Sequence, residues 1–316
     1  ARVLIEADGT FSQYSVNYHR IMLDSYSFAA LWQQRMSAPR FSPALLARLK
    51  QASHWLRQLT EPTTGDAPNL GANDGAQILS MTSCGYRDFR PSVQLASALF
   101  SGVSAYPEGP WDQALYWLGL ERAAAQASPL QSTSFDDGGL HVLRKGRAVT
   151  YLRYPRFRFR PSQADALHCD LWVGGRNLLR DAGTFSYNSS AEESAYFNGT
   201  VAHNTVEFDG RDQMPRLGRF LFGAWLKADN VICAQKTATS VLAAAGYSDA
   251  KAAQHLRTAR LEDGRLIVTD DVKGFARSAT LRWRLDPSQD WHLDGSTVRA
   301  GDVTLAISAD TDITRI

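Results

Sequence analysis

PLQSTSFDDGGLHVLRKGRAVTYLRYP, residues 129–155, is the stretch at which the chain changes character. Within it, Leu140 to Leu143 and Ala148 to Tyr154 are short runs rich in β-branched and aromatic residues. Asp137-Gly138 supplies a turn ahead of them, which reads as antiparallel strands. The same pattern continues downstream at Leu167 to Val173, Thr205 to Phe208, Val241 to Ala244, Leu266 to Asp270 and Ala279 to Leu285. Gly174-Gly175, Asp209-Gly210 and Asp263-Gly264 punctuate these runs, as expected of an antiparallel sandwich. Upstream the period is helical. Val16 to Arg35 carries Ile21, Leu23, Phe28, Leu31 and Trp32 near helical spacing, and Ser42-Pro43 is an N-cap with a first-turn proline. That second helix carries Leu45, Leu46, Leu49, Trp55, Leu56 and Leu59. Pro62, Gly65, Pro68 and Gly71 break the chain before two further helical runs, Pro91 to Ser101 and Trp111 to Gln126. Helices first and strands second predict an α+β fold with segregated domains, 1–128 and 129–316.

The 316 residues include 44% hydrophobic and 21% charged residues, the composition of an ordinary globular protein. No run approaches the roughly 18 apolar residues of a membrane span. A formal charge of +2 gives no argument for nucleic acid. Cys84, Cys169 and Cys233 are odd in number and lack CxxC spacing, so neither a disulfide framework nor a cysteine metal site is indicated. The phosphate-loop pattern GxxxxGK(S/T), GxSxG, HExxH and the EF-hand loop are all missing.

Three polar clusters stand out. Asn17, Tyr18 and His19 fall at a helix opening, where unsatisfied N–H groups and the positive dipole end would stabilise a substrate carboxylate; they serve equally well as packing at a loop–helix junction. YFNGTVAHNTVEFDGRDQM gathers Tyr196, Asn198, His203, Asn204, Asp209, Arg211 and Gln213, which read either as a lined cleft or as hydrogen-bonded core. Arg156, Arg158 and Arg160 at period two would share one face of a strand, suited to a polyanion or simply to a protected sheet edge. Asn69, Asn73 and Asp74 lie on the glycine-rich loop.

SVNYHR, QADALHCDLWVGGRNLLRDAGTFSYN and AHNTVEFDGRDQ, in this order, resemble the heparinase II/III family from about Asp8 to Gln213. The resemblance implies the end of an (α/α) toroid followed by a heparinase II/III-like β-sandwich. It implies a polysaccharide lyase that cleaves uronic-acid chains such as heparan sulfate, alginate or exopolysaccharide by β-elimination, with an acidic polysaccharide as partner and a periplasmic or secreted location in a bacterium. Tyr18 matches the tyrosine acting as general acid and often base, and His203 matches an active-site histidine. Asn17, His19, Asn73, Asp74, Tyr196, Asn204, Arg211 and Gln213 are the expected substrate-binding residues. The family places a carboxylate-neutralising Asn or His on a helix upstream, so the chain is expected to be part of a longer protein. Its zinc site would fall on Gln163, Asp181 and His203, with Pro161 where a second histidine often stands. Glutamine is a poor zinc ligand, so zinc is expected to be absent or weakly held and no other cofactor is expected; His168 would substitute only through a register shift.

The lyase reading predicts that Tyr18 and His203 meet in one cleft. A polysaccharide-binding protein on a degenerate lyase fold predicts a groove without that meeting. An inverting glycosidase would need two carboxylates roughly 6.5–9.5 Å apart, for which Asp74 and Asp209 are the candidates.

Overall fold

A computed structural model of the chain describes residues 3–311, 313 and 314; residues 1, 2, 312, 315 and 316, at the outer ends of the two expected domains, lie outside the described residues. Two compact units result, Ala1–Arg284 and Leu285–Ile316.

The first unit opens with α1 (Val16–Arg35) and α2 (Pro43–Leu59), both started by a serine whose side chain accepts a backbone N–H of the first turn. Next come α3 (Arg90–Ser101) and the short α4 (Gln113–Trp117). The helix expected over Trp111 to Gln126 therefore stops at Trp117, where Gly119 turns the chain through a left-handed conformation (φ +68°). The expected apolar side of α1 is also revised. Trp32 is 65% exposed, whereas Asn17, His19, Arg20, Asp24 and Ser27 are buried, so much of its inward face is polar.

Strands β1 (Thr133–Phe135), β2 (Leu140–Lys145), β3 (Ala148–Arg153), β4 (Cys169–Val173) and β5 (Arg176–Leu179) form one antiparallel sheet in sequence order. After helix α5 (Ala191–Asn198), strand β6 (Val206–Phe208) follows, and then the hairpin β7 (Arg216–Gly218) and β8 (Leu221–Phe222). Strands β9 (Ala228–Lys236), β10 (Ser240–Ser248), β11 (Gln254–Glu262) and β12 (Arg265–Lys273) make a second antiparallel sheet, and β13 (Ala279–Leu281) pairs with β6. The separate unit Leu285–Ile316 contains the meander β14 (His292–Asp294), β15 (Thr297–Ala300) and β16 (Val303–Ala306).

Period-two alternation in β2 and β3 explains the layering, because it sends successive side chains to opposite faces. Val142, Val149 and Tyr151 join Leu23, Leu49, Trp55 and Val93 in a core shared with the helices. Leu143 and Leu152 join Val241, Ala243, Ala245, Ala259 and Leu261 in a second core shared with the other sheet. The first sheet is thus covered on both sides, and a common core bridges the expected boundary at 128–129. The strand expected from Leu167 begins only at Cys169, since Leu167 takes a left-handed φ of +59°. Nor does the arginine series lie on one strand. Arg156 pairs with Asp136 and Arg158 with Glu6, in irregular chain beyond β3.

Candidate active site

The start of α1 is fixed by the loop that follows α2. Ser15 caps the helix and its hydroxyl donates to Ala72 O (2.5 Å), while Val16 N–H donates to Leu70 O (3.1 Å). Only glycine fits between them at position 71, where φ is +76° and a Cβ would stand 2.2 Å from Tyr14 O. This junction forms one wall of a cavity of about 630 Å³, lined by Asn17, Asn69, Asn73, Asp74, Tyr86 and Arg87. The segment Ala182–Asn188, between β5 and α5, forms the other wall.

Tyr18, half-buried, reaches across to that second wall, its hydroxyl 3.1 Å from the hydroxyl of Tyr187. Burial, the bond to Tyr187 and the Asp74 carboxylate all hold the Tyr18 phenol far above its ordinary pKa. Tyr187 is raised too, by burial, against the opposing effects of Tyr18 and the Arg160 cation. Both tyrosines are proton-bearing phenols at neutrality.

Behind them a buried polar cluster holds the loop. Arg20 donates to Asn17 Oδ1 (2.5 Å) and Tyr86 O (2.6 Å), and lies over the rings of Tyr86 and Phe89. Asn17 Nδ2 donates to Ala76 O (3.2 Å), and Tyr86 Oη donates to Asn73 Oδ1 (2.7 Å). Asn73 N–H in turn donates to Thr184 Oγ1 (3.0 Å), tying the two walls together. One turn further along α1, burial pushes the Asp24 carboxyl up to about 6, only partly offset by Ser92 and Arg20. A carboxyl raised in the folded state above its unfolded value costs stability as pH rises from about 4 to 6. Asp24→Asn should therefore melt above the parent at pH ~8 and lose that advantage near pH ~4; an unchanged difference across that range in thermal melts would contradict it.

Several expected binding residues lie elsewhere. His19 is fully buried, bonds Ala52 O through Nε2 (2.8 Å) and stacks on Trp55 at 4.3 Å; burial lowers its pKa to about 3. It packs α1 on α2 and does not line the cavity. Asn204 is fully buried and bonded to Cys169 O, Arg180 O and Arg284 N. Gln213 is bonded to both backbone groups of Ala166, and Arg211 is paired with Asp249. Tyr196 is exposed, accepts from Arg284 and lies outside the cavity lining. The polar strand cluster is mostly internal joinery. Asp209 accepts three backbone N–H groups, from residues 276–278, which draws its pKa down to about 2. It is not among the residues lining the cavity that holds Asp74.

His203 departs furthest from expectation. It is sealed at 0% exposure, with Nδ1 2.8 Å from Asp181 Oδ2. Burial opposes its protonation, but Asp181 more than compensates and raises its pKa. Tyr18 is bonded to Tyr187 of the cavity wall, whereas His203 is fully buried and bonded to Asp181, just before that wall; among the described residues no hydrogen bond joins Tyr18 to His203. His168, not Gln163, joins Asp181 and His203, with one candidate ligand atom from each lying within 4.8 Å of the others. Gln163 is buried and donates its amide to Gly183 O (3.4 Å).

Both Nε2 atoms of the trio's histidines are buried without a hydrogen-bond partner, while their Nδ1 atoms are engaged. Asn204 N–H donates to His168 Nδ1 (3.0 Å), so a neutral His168 keeps its proton on Nε2, the nitrogen that faces Asp170 (3.6 Å) and Asp181 (3.8 Å). A ligating imidazole has the opposite arrangement: its far nitrogen donates, leaving the near lone pair to the metal. His203 likewise spends Nδ1 on Asp181.

Sequence reasoning missed Tyr187, Phe185 and Tyr86. The first two sit in the DAGTFSYN element, whose alternation around Ser186 was the available signal.

Residues 127–314 match the family model described as Heparinase II/III-like, C-terminal. No curated protein matches the chain significantly. Among solved structures, a heparan sulfate lyase HepC from Pedobacter heparinus aligns with TM-score 0.67 and 18% identity, covering 94% of this chain and 44% of its own. The Heparinase III-BT4657 gene product gives 0.69 and 18%, with 94% and 44% covered, and a structure named Heparinase III gives 0.67 and 15%, with 94% and 46%. The chain spans a little under half the length of these structures. With more than half of its residues inside the family model, and with helices backed onto an antiparallel sandwich as in those neighbours, the chain belongs to the heparinase II/III-like family.

Proposed function

We propose that the protein of which this chain forms part is a polysaccharide lyase that cleaves uronic-acid-containing chains by β-elimination, with Tyr18 as its proton-transfer residue. The observation that carries this reading is the Tyr18 hydroxyl bonded to Tyr187, which lines a cavity with several side-chain amides and the Asp74 carboxylate. A phenol held above its ordinary pKa is not a resting base, which favours concerted transfer. The proton α to the uronate carboxylate moves to the Tyr18 oxygen as the Tyr18 proton moves to the glycosidic oxygen. The bond from the β-carbon to that oxygen breaks, a carbon–carbon double bond forms and the phenol is regenerated. Asn17, Asn73 and Asp74 border the path of the chain. His203 acts at a distance, anchoring Asp181 and with it the wall that carries Tyr187. A periplasmic or secreted location in a bacterium fits such a substrate.

The test is full-length protein with a panel of uronate polymers, followed by ultraviolet absorbance of the unsaturated product. Absorbance should rise with at least one polymer. The sealed position of His203 favours a second reading, a polysaccharide-binding protein without turnover. Tight polymer binding with no absorbance across the panel would establish that instead.

In the same reading the reaction needs no resident metal at His168, Asp181 and His203, because the Asn204 N–H holds neutral His168 in the tautomer whose Nε2 keeps its proton. Chelation should leave the thermal midpoint and the rate unchanged. Stoichiometric zinc in the purified protein, with a midpoint that drops on its removal, would overturn this.

A further inference from the structure

We infer that Phe185 is a stacking platform for a sugar ring of the polysaccharide, a binding subsite on the wall opposite Asn73 and Asp74. This rests on the reading of the cavity as a polysaccharide groove. Phe185 lines the cavity, yet the residue is 69% exposed. One face is backed by Phe197, with ring centroids 5.5 Å apart and planes only 17° from parallel, so the ring is held flat. Tyr196 packs edge-on behind Phe197 at 5.2 Å. A supported aromatic plane at the side of a polar cavity suits the C–H face of a pyranose, whose hydroxyls then point to surrounding donors and acceptors.

The backbone gives an independent sign. Phe185 takes φ +62°, the left-handed region that a bulky residue adopts only under constraint from its surroundings. Glycine would be favoured there on conformational grounds, and the side chain buries too little surface to justify itself by packing. An exposed aromatic on a strained backbone is a feature kept for what it touches. Tyr187, two residues on, is the partner of Tyr18, so a ring seated on Phe185 would place the neighbouring sugar beside the two phenols. The ligand class is a chain of at least two pyranose units, one of them a uronate.

Phe185→Gly and Phe185→Ala in the full-length protein separate this from a packing role. The platform predicts a KM roughly tenfold higher on a uronate polymer, equivalent to about 1.4 kcal/mol, with kcat within about threefold. Phe185→Trp should keep the parental KM, and the thermal midpoint of Phe185→Gly should be unchanged or higher. A parental KM in Phe185→Ala would overturn the platform, as would a KM defect accompanied by an equal loss of stability that Phe185→Trp fails to correct. If the parent shows no turnover on any polymer, the lyase reading fails separately. The same variants are then read by polymer binding, where equal dissociation constants for parent and Phe185→Ala overturn the platform.

Discussion

Replacing Tyr18 with phenylalanine should lower kcat on a uronate polymer by about 10²–10⁴-fold, the range over which a positioned acid–base group acts. KM should change little, because the ring and its packing at the start of α1 remain. The hydroxyl removed is half-buried and interacts with Tyr187 and Asp74, so the thermal midpoint should shift only slightly. Tyr187→Phe is the control. It leaves the Tyr18 phenol in place and removes its partner, so it should cost less in kcat than Tyr18→Phe. Equal activity of Tyr18→Phe and parent, in initial rates of unsaturated product, would remove Tyr18 from the reaction altogether.

The largest stability effect is expected at Arg257. Its guanidinium is fully buried on β11, donates through Nε and Nη2 to Asp270 (2.6 and 2.9 Å), and also donates to Leu167 O (2.7 Å) and Asn204 O (2.5 Å). It ties the second sheet to the turns that present His168 and His203. Arg257→Met keeps comparable bulk but leaves a mostly buried carboxylate and two carbonyls without their donor. Removing one partner of such a pair costs about 3–5 kcal/mol. The pH dependence has a definite sign. Asp270, buried but dominated by Arg257 and His255, is held well below the usual carboxylate range. A depressed folded pKa contributes stability that is present above the unfolded value near pH ~4 and lost as pH falls through the folded one. The gap between parent and Arg257→Met should therefore be widest near neutrality and shrink below pH ~4. Chemical denaturation at several pH values checks both claims; a neutral-pH gap under about 1 kcal/mol would contradict the assignment.

Much of the fold was legible because its signals are local. Ser15 and Ser42 mark the starts of α1 and α2, and paired glycines and Asp-Gly steps mark the hairpins. What misled was segments whose fate depends on partners. The alanine-rich stretch after Trp117 has helix propensity but leaves the helix at Gly119. The inward face of α1 is polar because Arg20 and Asn17 find backbone carbonyls at Tyr86 and Ala76, which no sequence period can announce. Composition found the right neighbourhood for the site, since Asn17, Tyr18, Asn73 and Asp74 do converge. It failed to say which polar residues face the cavity. Asn204, Gln213 and Arg211 are as hydrogen-bonding as any substrate ligand, yet their partners are internal. His168 was expected to substitute only through a register shift; a left-handed Leu167 turns the chain just before it, and it stands with Asp181 and His203.

The most direct measurement is the chemical nature of the chain ends that the full-length protein creates. After digestion of an acidic polysaccharide, nuclear magnetic resonance of the purified fragments should show a vinylic proton on an unsaturated uronate at each new non-reducing end. Fragments whose new ends are fully saturated would mean hydrolysis, and would contradict proton transfer by Tyr18 as the basis of the activity.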